Sequence, residues 1–255
     1  MKILALDTST KFLSLGITDG KKIYECCLET GVKLSSLLMP TIKRTLLSLR
    51  MRPGDIDYFA CGLGPGSFTG IRVGMSAVKG LAWALKKPVV GIPTLDALAR
   101  NMYPVKKSIF EPGDTCQGVR PQDVIIAPVI DAKRKLLYSS VYKMRGSKLT
   151  RVSAYFLVTP QELSGKIESF CGSKKENTTL LLAGDGADLY RQAIAHCRLR
   201  IVVLDKDRWY PQPRHMIALA QEKIASGKES TVYALKPLYL YPKECQIRCT
   251  KATDK

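Results

Sequence analysis

The sequence predicts an α/β fold made of two tandem β-β-β-α-β-α units. Three observations carry that expectation. The chain opens with three short β-rich runs around a hairpin signal, continues through a strand, a glycine-rich loop and a helix, and repeats the same order after a proline- and glycine-punctuated middle. With 255 residues, 45% hydrophobic and 24% charged, it can bury roughly 70–75% of its unfolded surface and is too apolar for intrinsic disorder. Its longest apolar runs, such as residues 124–130, fall far short of the roughly 20 residues a membrane helix needs.

The elements follow in chain order. Residues 3–7, 12–18 and 22–28 are β-rich with partial alternation, and Asp19-Gly20 marks a hairpin between the second and third. Residues 33–50 place Leu34, Leu37, Leu38, Ile42, Leu46 and Leu49 at helical spacing, with a kink expected at Pro40. Residues 56–61 read as a strand that runs into a glycine-rich loop, 62–70, and then a helix to residue 86. A strand at 88–92 and a helix through Arg100 close the first unit, residues 1–102. Residues 103–122 read as a connection. The second unit, 123–241, offers a meander at 124–130, 135–142 and 149–158 and a helix at 160–170. It goes on with a strand at 179–183 ending in Gly184-Asp185-Gly186, a helix at 187–197, a short strand at 201–204 and a last helix at 213–226. Residues 242–255 form a basic tail with two cysteines. Duplicated units of this order describe the actin-like ATPase superfold (ASKHA, ribonuclease H-like), in which nucleotide lies between the halves.

Charge and cysteine usage narrow the setting. Forty Lys and Arg against 22 Asp and Glu leave +18, spread as +7 over residues 1–100 and +11 over 101–255. A folded protein this basic is drawn to polyanions, nucleic acid above all, although no run interleaves aromatic and basic residues as a stacking platform would. The N-terminus lacks the pattern of a signal peptide. The eight cysteines form no CxxC pair, which suits reduced thiols in the cytosol.

The local motifs each admit two readings. Asp7-Thr8-Ser9-Thr10, at the tip between the first two strands, is a small polar nest suited to phosphate; the same residues also suit a turn that caps its own backbone. The glycine-rich loop opens a helix, where backbone N–H groups can hold an anion, yet it lacks a Walker lysine and also fits a tight turn capped by Ser67 or Thr69. Gly70, Gly74, Ala77 and Ala84 form a small-residue stripe that admits another helix, from this chain or from a partner. His196 and His215 are the only histidines, neither at metal-ligand spacing, and no HExxH, Ser-His-Asp or zinc pattern can be assembled.

Taken together, ILALDTST (3–10), GLGPGSFTGIRVG (62–74), KGLAWAL (79–85), PVVGIPTLDA (88–97), IDAKR (130–134) and GDGA (184–187) resemble the TsaB (YeaZ) family of bacterial tRNA threonylcarbamoyladenosine biosynthesis proteins. The resemblance runs in register from residue 1 to about residue 241, where PLYLY echoes the family's closing motif, and the GPGSFTG segment is its most specific part. It implies a non-catalytic subunit that pairs with a TsaD-type transferase, joined by a TsaE-type ATPase, on tRNA in the cytoplasm. It also implies homodimers through similar surfaces. Metal histidines of the larger relative have no counterpart in residues 92–97. Family pairing through the first two helices points to Leu34, Leu38, Ile42, Gly70, Gly74, Ala77 and Leu81 as interface residues, so Arg at Gly74 or Ala77 is expected to abolish pairing and spare the fold. Inherited nucleotide contacts map to Asp7, Thr8, Ser9, Thr10, Gly184, Asp185 and Gly186, with ATP or ADP entering through the assembly and no metal of its own.

The chain departs from the family pattern at Leu34-Ser35-Ser36, where His-Ser-Glu is usual, at Leu63 and at Tyr241, each in place of Arg, and in the tail. The competing reading is an ATP-dependent small-molecule kinase of the same superfold. That reading requires Asp7, Thr10 and the 184–186 turn to face one another with a second acidic ligand, for which Asp131 is the candidate.

Overall fold

A computed structural model describes residues 1–102, 124–145, 148–171, 178–194 and 199–241. The expected connection at 103–122, the tail at 242–255 and His196 lie outside the described residues. Among the described residues no helix is long and apolar enough to cross a membrane.

In the first half, β1 (Ile3–Asp7), β2 (Phe12–Thr18), β3 (Ile23–Glu29), β4 (Tyr58–Gly62) and β5 (Val89–Ile92) form one sheet in the order β3-β2-β1-β4-β5. The Asp19-Gly20 hairpin sets the antiparallel register, Gly16 opposite Ala5 on one side and Glu25 on the other. β1, β4 and β5 are parallel, so their connections must cross over the sheet, and helices do this. α1 (Leu34–Ser48) buries Leu34, Leu38, Ile42 and Leu46, one residue per turn. Burial is worth roughly 1.5–3 kcal/mol for each such side chain. The helix continues through Pro40, which lies on its exposed side. α2 (Phe68–Leu85) starts at Ser67, whose Oγ accepts from the Gly70 N–H, and buries Ile71, Met75, Val78 and Ala82. Both helices cover the sheet face made by Leu4, Leu6, Leu13, Leu15 and Phe59.

The second half repeats the order with an insertion. β6 (Val124–Lys133), β7 (Leu136–Ser139), β8 (Tyr142–Arg145), β9 (Lys148–Arg151), β10 (Phe156–Val158), β11 (Thr179–Ala183) and β12 (Arg200–Val203) give the path β10-β7-β6-β11-β12, with the β8–β9 hairpin attached to β6. The expected three-strand meander is therefore five strands. Pro128 explains the break: it has no N–H for the ladder. β7 pairs with residues 129–133 of β6 and β8 with residues 125–126, while the Ser139 hydroxyl donates to the Pro128 carbonyl at 2.8 Å. α4 (Pro160–Glu168) opens on a capping box between Thr159 and Glu162. The expected helix at 187–197 is instead α5 (Asp185–Leu189) and α6 (Arg191–Ile194), interrupted at Tyr190.

Two helices change sides. α7 (Pro213–Ala225) lays Met216, Ile217 and Ala220 on the other face of the first sheet, against Ile3, Ala5, Ala60, Val90 and Ile92. α3 (Thr94–Asn101) packs Leu95 and Leu98 on Ile130 and Tyr138 of the second half, and Ala99 on Val124 and Ile126. Asp96 of α3 accepts from the hydroxyls of Tyr142 at 2.6 Å and Tyr155 at 2.8 Å. The last described residues also join the halves: Leu238 N–H donates to the Leu63 carbonyl at 2.8 Å, and the Tyr241 hydroxyl to the Ala132 carbonyl at 2.8 Å.

Candidate functional site

The polar tip after β1 folds inward. The backbone N–H and the hydroxyl of Ser9 donate to Asp7 Oδ1 at 2.8 and 2.7 Å, and Thr94 Oγ1 donates to Oδ2 at 2.7 Å. Asp7 is 1% exposed. Burial raises its pKa, and the hydrogen bonds from Ser9 and Thr94 oppose that rise. Thr8 donates to the Gly70 carbonyl at 2.7 Å, and the Ser67 N–H to the Ser9 carbonyl at 2.7 Å. The glycine-rich loop is thus pinned to the tip.

Gly62 of the loop and Gly74 of α2 are required by close approach and not by turn geometry. A Cβ at Gly62 would lie 2.1 Å from Asp7 Oδ2, and one at Gly74 2.1 Å from Thr8 Oγ1. Asp7 and Thr8 therefore act as internal staples. They do not face the space between the halves.

That space is a cleft of about 770 Å³. Ser9, Thr10, Lys11 and Ser67 line one side; Asp131, Lys133, Arg134 and Asp185 line the other; residues 238–241 complete the wall. The 184–186 turn braces the β6–β7 turn: Asp185 Oδ1 accepts from the Asp131 N–H at 2.9 Å. Burial raises the Asp185 pKa, with Asp131 as the leading charge acting in the same direction. Asp131 Oδ2 accepts from Lys133 Nζ at 2.6 Å. Lys133, Arg134 and Lys135 have φ of 65°, 53° and 60°, a left-handed run carried by three cations without a glycine. Thr10 and Asp185 thus share the cleft, as the kinase reading requires, but Asp7 is turned away toward α3. Among the described residues no group of three or more His, Cys, Asp and Glu side chains could hold a metal ion.

The helix pair packs the expected interface residues largely against the chain's own core. Leu34, Leu38 and Ile42 lie in the first core, Gly70 and Gly74 are buried against Thr8, and Ala77 and Leu81 are half-buried on the same core. One apolar stripe per helix goes to the chain's own sheet. The faces turned outward carry Met39, Lys43, Arg44 and Leu47 on α1, and Phe68, Arg72, Ser76, Gly80 and Trp83 on α2. A Cβ at Gly80 would meet nothing within 4 Å. The outward small residues of α2 therefore include Ser76, Gly80 and, of the expected stripe, Ala84, and the signal for them was the large apolar residues that fall off the core stripe.

Two sheets that share one five-strand order, the second with an added hairpin, facing across a cleft and exchanging their last helices, define an actin-like α/β protein of two halves. A family model described as TsaD, tRNA N6-adenosine threonylcarbamoyltransferase, matches residues 28–248. The tRNA threonylcarbamoyladenosine biosynthesis protein TsaB of Bacillus subtilis is 27% identical over 252 residues, 97% of each chain. TsaB of Haemophilus influenzae is 25% identical over 243 residues, 94% of this chain and 93% of that one. The solved structure of YeaZ from Pseudomonas aeruginosa superposes with a TM-score of 0.73 at 24% identity, covering 94% of this chain and 99% of that one. The chain belongs to the TsaD family, among its TsaB (YeaZ) members.

Proposed function

We propose that this chain serves threonylcarbamoyladenosine formation in tRNA as a non-catalytic cytoplasmic subunit. It docks a TsaD-type transferase through the outward faces of α1 and α2, and a TsaE-type ATPase joins the assembly that holds tRNA. The observation that carries the reading is Asp7. Three donors from Ser9 and Thr94 take up both of its oxygens, so the acid at the tip of β1 works for the fold and not for a reaction. Of the expected nucleotide contacts, Ser9, Thr10 and Asp185 stay on the cleft wall, and ATP or ADP enters this account through the assembly.

The test is co-elution with the transferase encoded in the same genome. Gly80→Arg, which has open space around it, should leave a folded monomer that no longer co-elutes. Unchanged co-elution sinks the docking face.

A further inference from the structure

We infer that the outward face of α1 and α2 is built for a different protein that presents carboxylates around an apolar seam, and that its charge works against a second copy of this chain. The inference rests on the docking reading above and adds the chemistry of the partner. Residues 30–95 hold nine Lys and Arg but only two carboxylates, Asp55 and Asp57. Both lie off the helices and are engaged by backbone: Asp55 accepts from the Arg52 N–H at 2.7 Å, Asp57 from the Lys2 N–H at 2.8 Å. α1 and α2 contain no acid at all. Among the described residues no ion pair engages Lys43, Arg44, Lys79 or Lys86. Arg72 is the exception in being occupied, stacked 3.8 Å over Phe68 and donating to the Tyr239 hydroxyl at 3.1 Å.

The apolar part of the face selects protein over RNA. Met39 is 46% and Leu47 64% exposed, and Phe68 and Trp83 are 45% and 66% exposed. An RNA strand could use the cations and Trp83, but the aliphatic Met39 and Leu47 give a phosphodiester backbone nothing. A partner helix can bury them and approach α2 closely over Ser76 and the open space at Gly80. A two-fold pairing of this face with itself would set the cations of the helices against each other with no carboxylate on either helix to meet them, the exposed Glu229 lying beyond the end of α2 beside Trp83 and Lys86.

Sedimentation velocity of the full chain in about 50 mM and about 500 mM NaCl tests this, because the Debye length drops from about 14 Å to about 4 Å. Self-association should be at least about threefold weaker in the lower salt, while affinity for the TsaD-type transferase of the same genome should be about tenfold tighter there. Lys43→Glu/Arg44→Glu, at two exposed positions, should keep the wild-type melting midpoint, weaken transferase binding, and form mixed dimers with wild type more readily than either chain alone. Self-association that tightens in low salt or ignores it overturns the inference, as does a chain monomeric throughout whose transferase affinity ignores salt. Bulk tRNA binding that the double variant abolishes, with transferase binding unchanged, assigns the face to RNA and also overturns it. If wild type fails to bind the transferase at either salt, the docking reading falls, and the self-association data still decide the charge argument.

Discussion

Two glycines six residues apart on α2 should respond to alanine with opposite sign. At Gly74 the new Cβ would sit 2.1 Å from Thr8 Oγ1, 3.2 Å from its Cβ and 3.3 Å from its Cγ2. Thr8 is 3% exposed and its hydroxyl holds the Gly70 carbonyl at 2.7 Å, so it cannot yield without losing that bond. Overpacking costs about 1–3 kcal/mol and a broken buried hydrogen bond about 1–3 kcal/mol more, against about 1 kcal/mol returned by helix propensity. Gly74→Ala should therefore destabilise by about 1–5 kcal/mol. At Gly80 nothing lies within 4 Å, and Gly80→Ala should stabilise by about 1 kcal/mol. Thermal melts read the difference, since each kcal/mol moves the midpoint of a chain near this size by about 2–4 °C. Thr8→Ala removes the nearest atom, so a double-mutant cycle with Gly74→Ala should show favourable coupling of about 1–2 kcal/mol. Equal stability of the two single variants, or no coupling, would refute the assignment of Gly74 to internal packing.

Two further outcomes concern buried titrating groups. Burial raises the Asp7 pKa above its ordinary 3.8, so the folded state takes up that proton first. Relative to Asp7→Asn, wild type should gain stability as pH falls through the raised value toward 3.8; a flat difference across acidic pH contradicts the burial. Thr94→Val removes the donor to Oδ2 and should cost about 1–3 kcal/mol at neutral pH and less in acid, read by urea midpoints. His215 runs the other way. Burial first, then Arg214 and Arg100, hold its pKa down to about 4 from 6.5. Its neutral form is stable above 6.5, and stability is lost as pH falls from there through 4. His215→Gln should remove that slope, about 1–2 kcal/mol after solvent screening.

Much of the fold was legible because hydrophobic period speaks directly to local structure. The spacing of Leu34, Leu38, Ile42 and Leu46 defined α1, and Asp19-Gly20 set the first hairpin and its register. The order of elements gave both sheets of the actin-like fold. What period leaves open is which surface a stripe meets. The leucines of α1 suited a partner and their own sheet equally, and so did the glycines of α2 until Thr8, more than sixty residues away in the chain, filled them. The break between β7 and β8 had a readable cause in Pro128. The exchange of α3 and α7 between halves left no mark on either helix, since both are amphipathic in the ordinary way. The left-handed run at Lys133, Arg134 and Lys135 carries none of the glycine or asparagine that usually marks such backbone.

The most direct test of the central claim is the threonylcarbamoyladenosine content of bulk tRNA, read by nucleoside mass spectrometry after depletion of this protein in its host. The modified nucleoside should be lost, restored by the wild-type chain, and not restored by Gly80→Arg. Unchanged levels after depletion would contradict that claim.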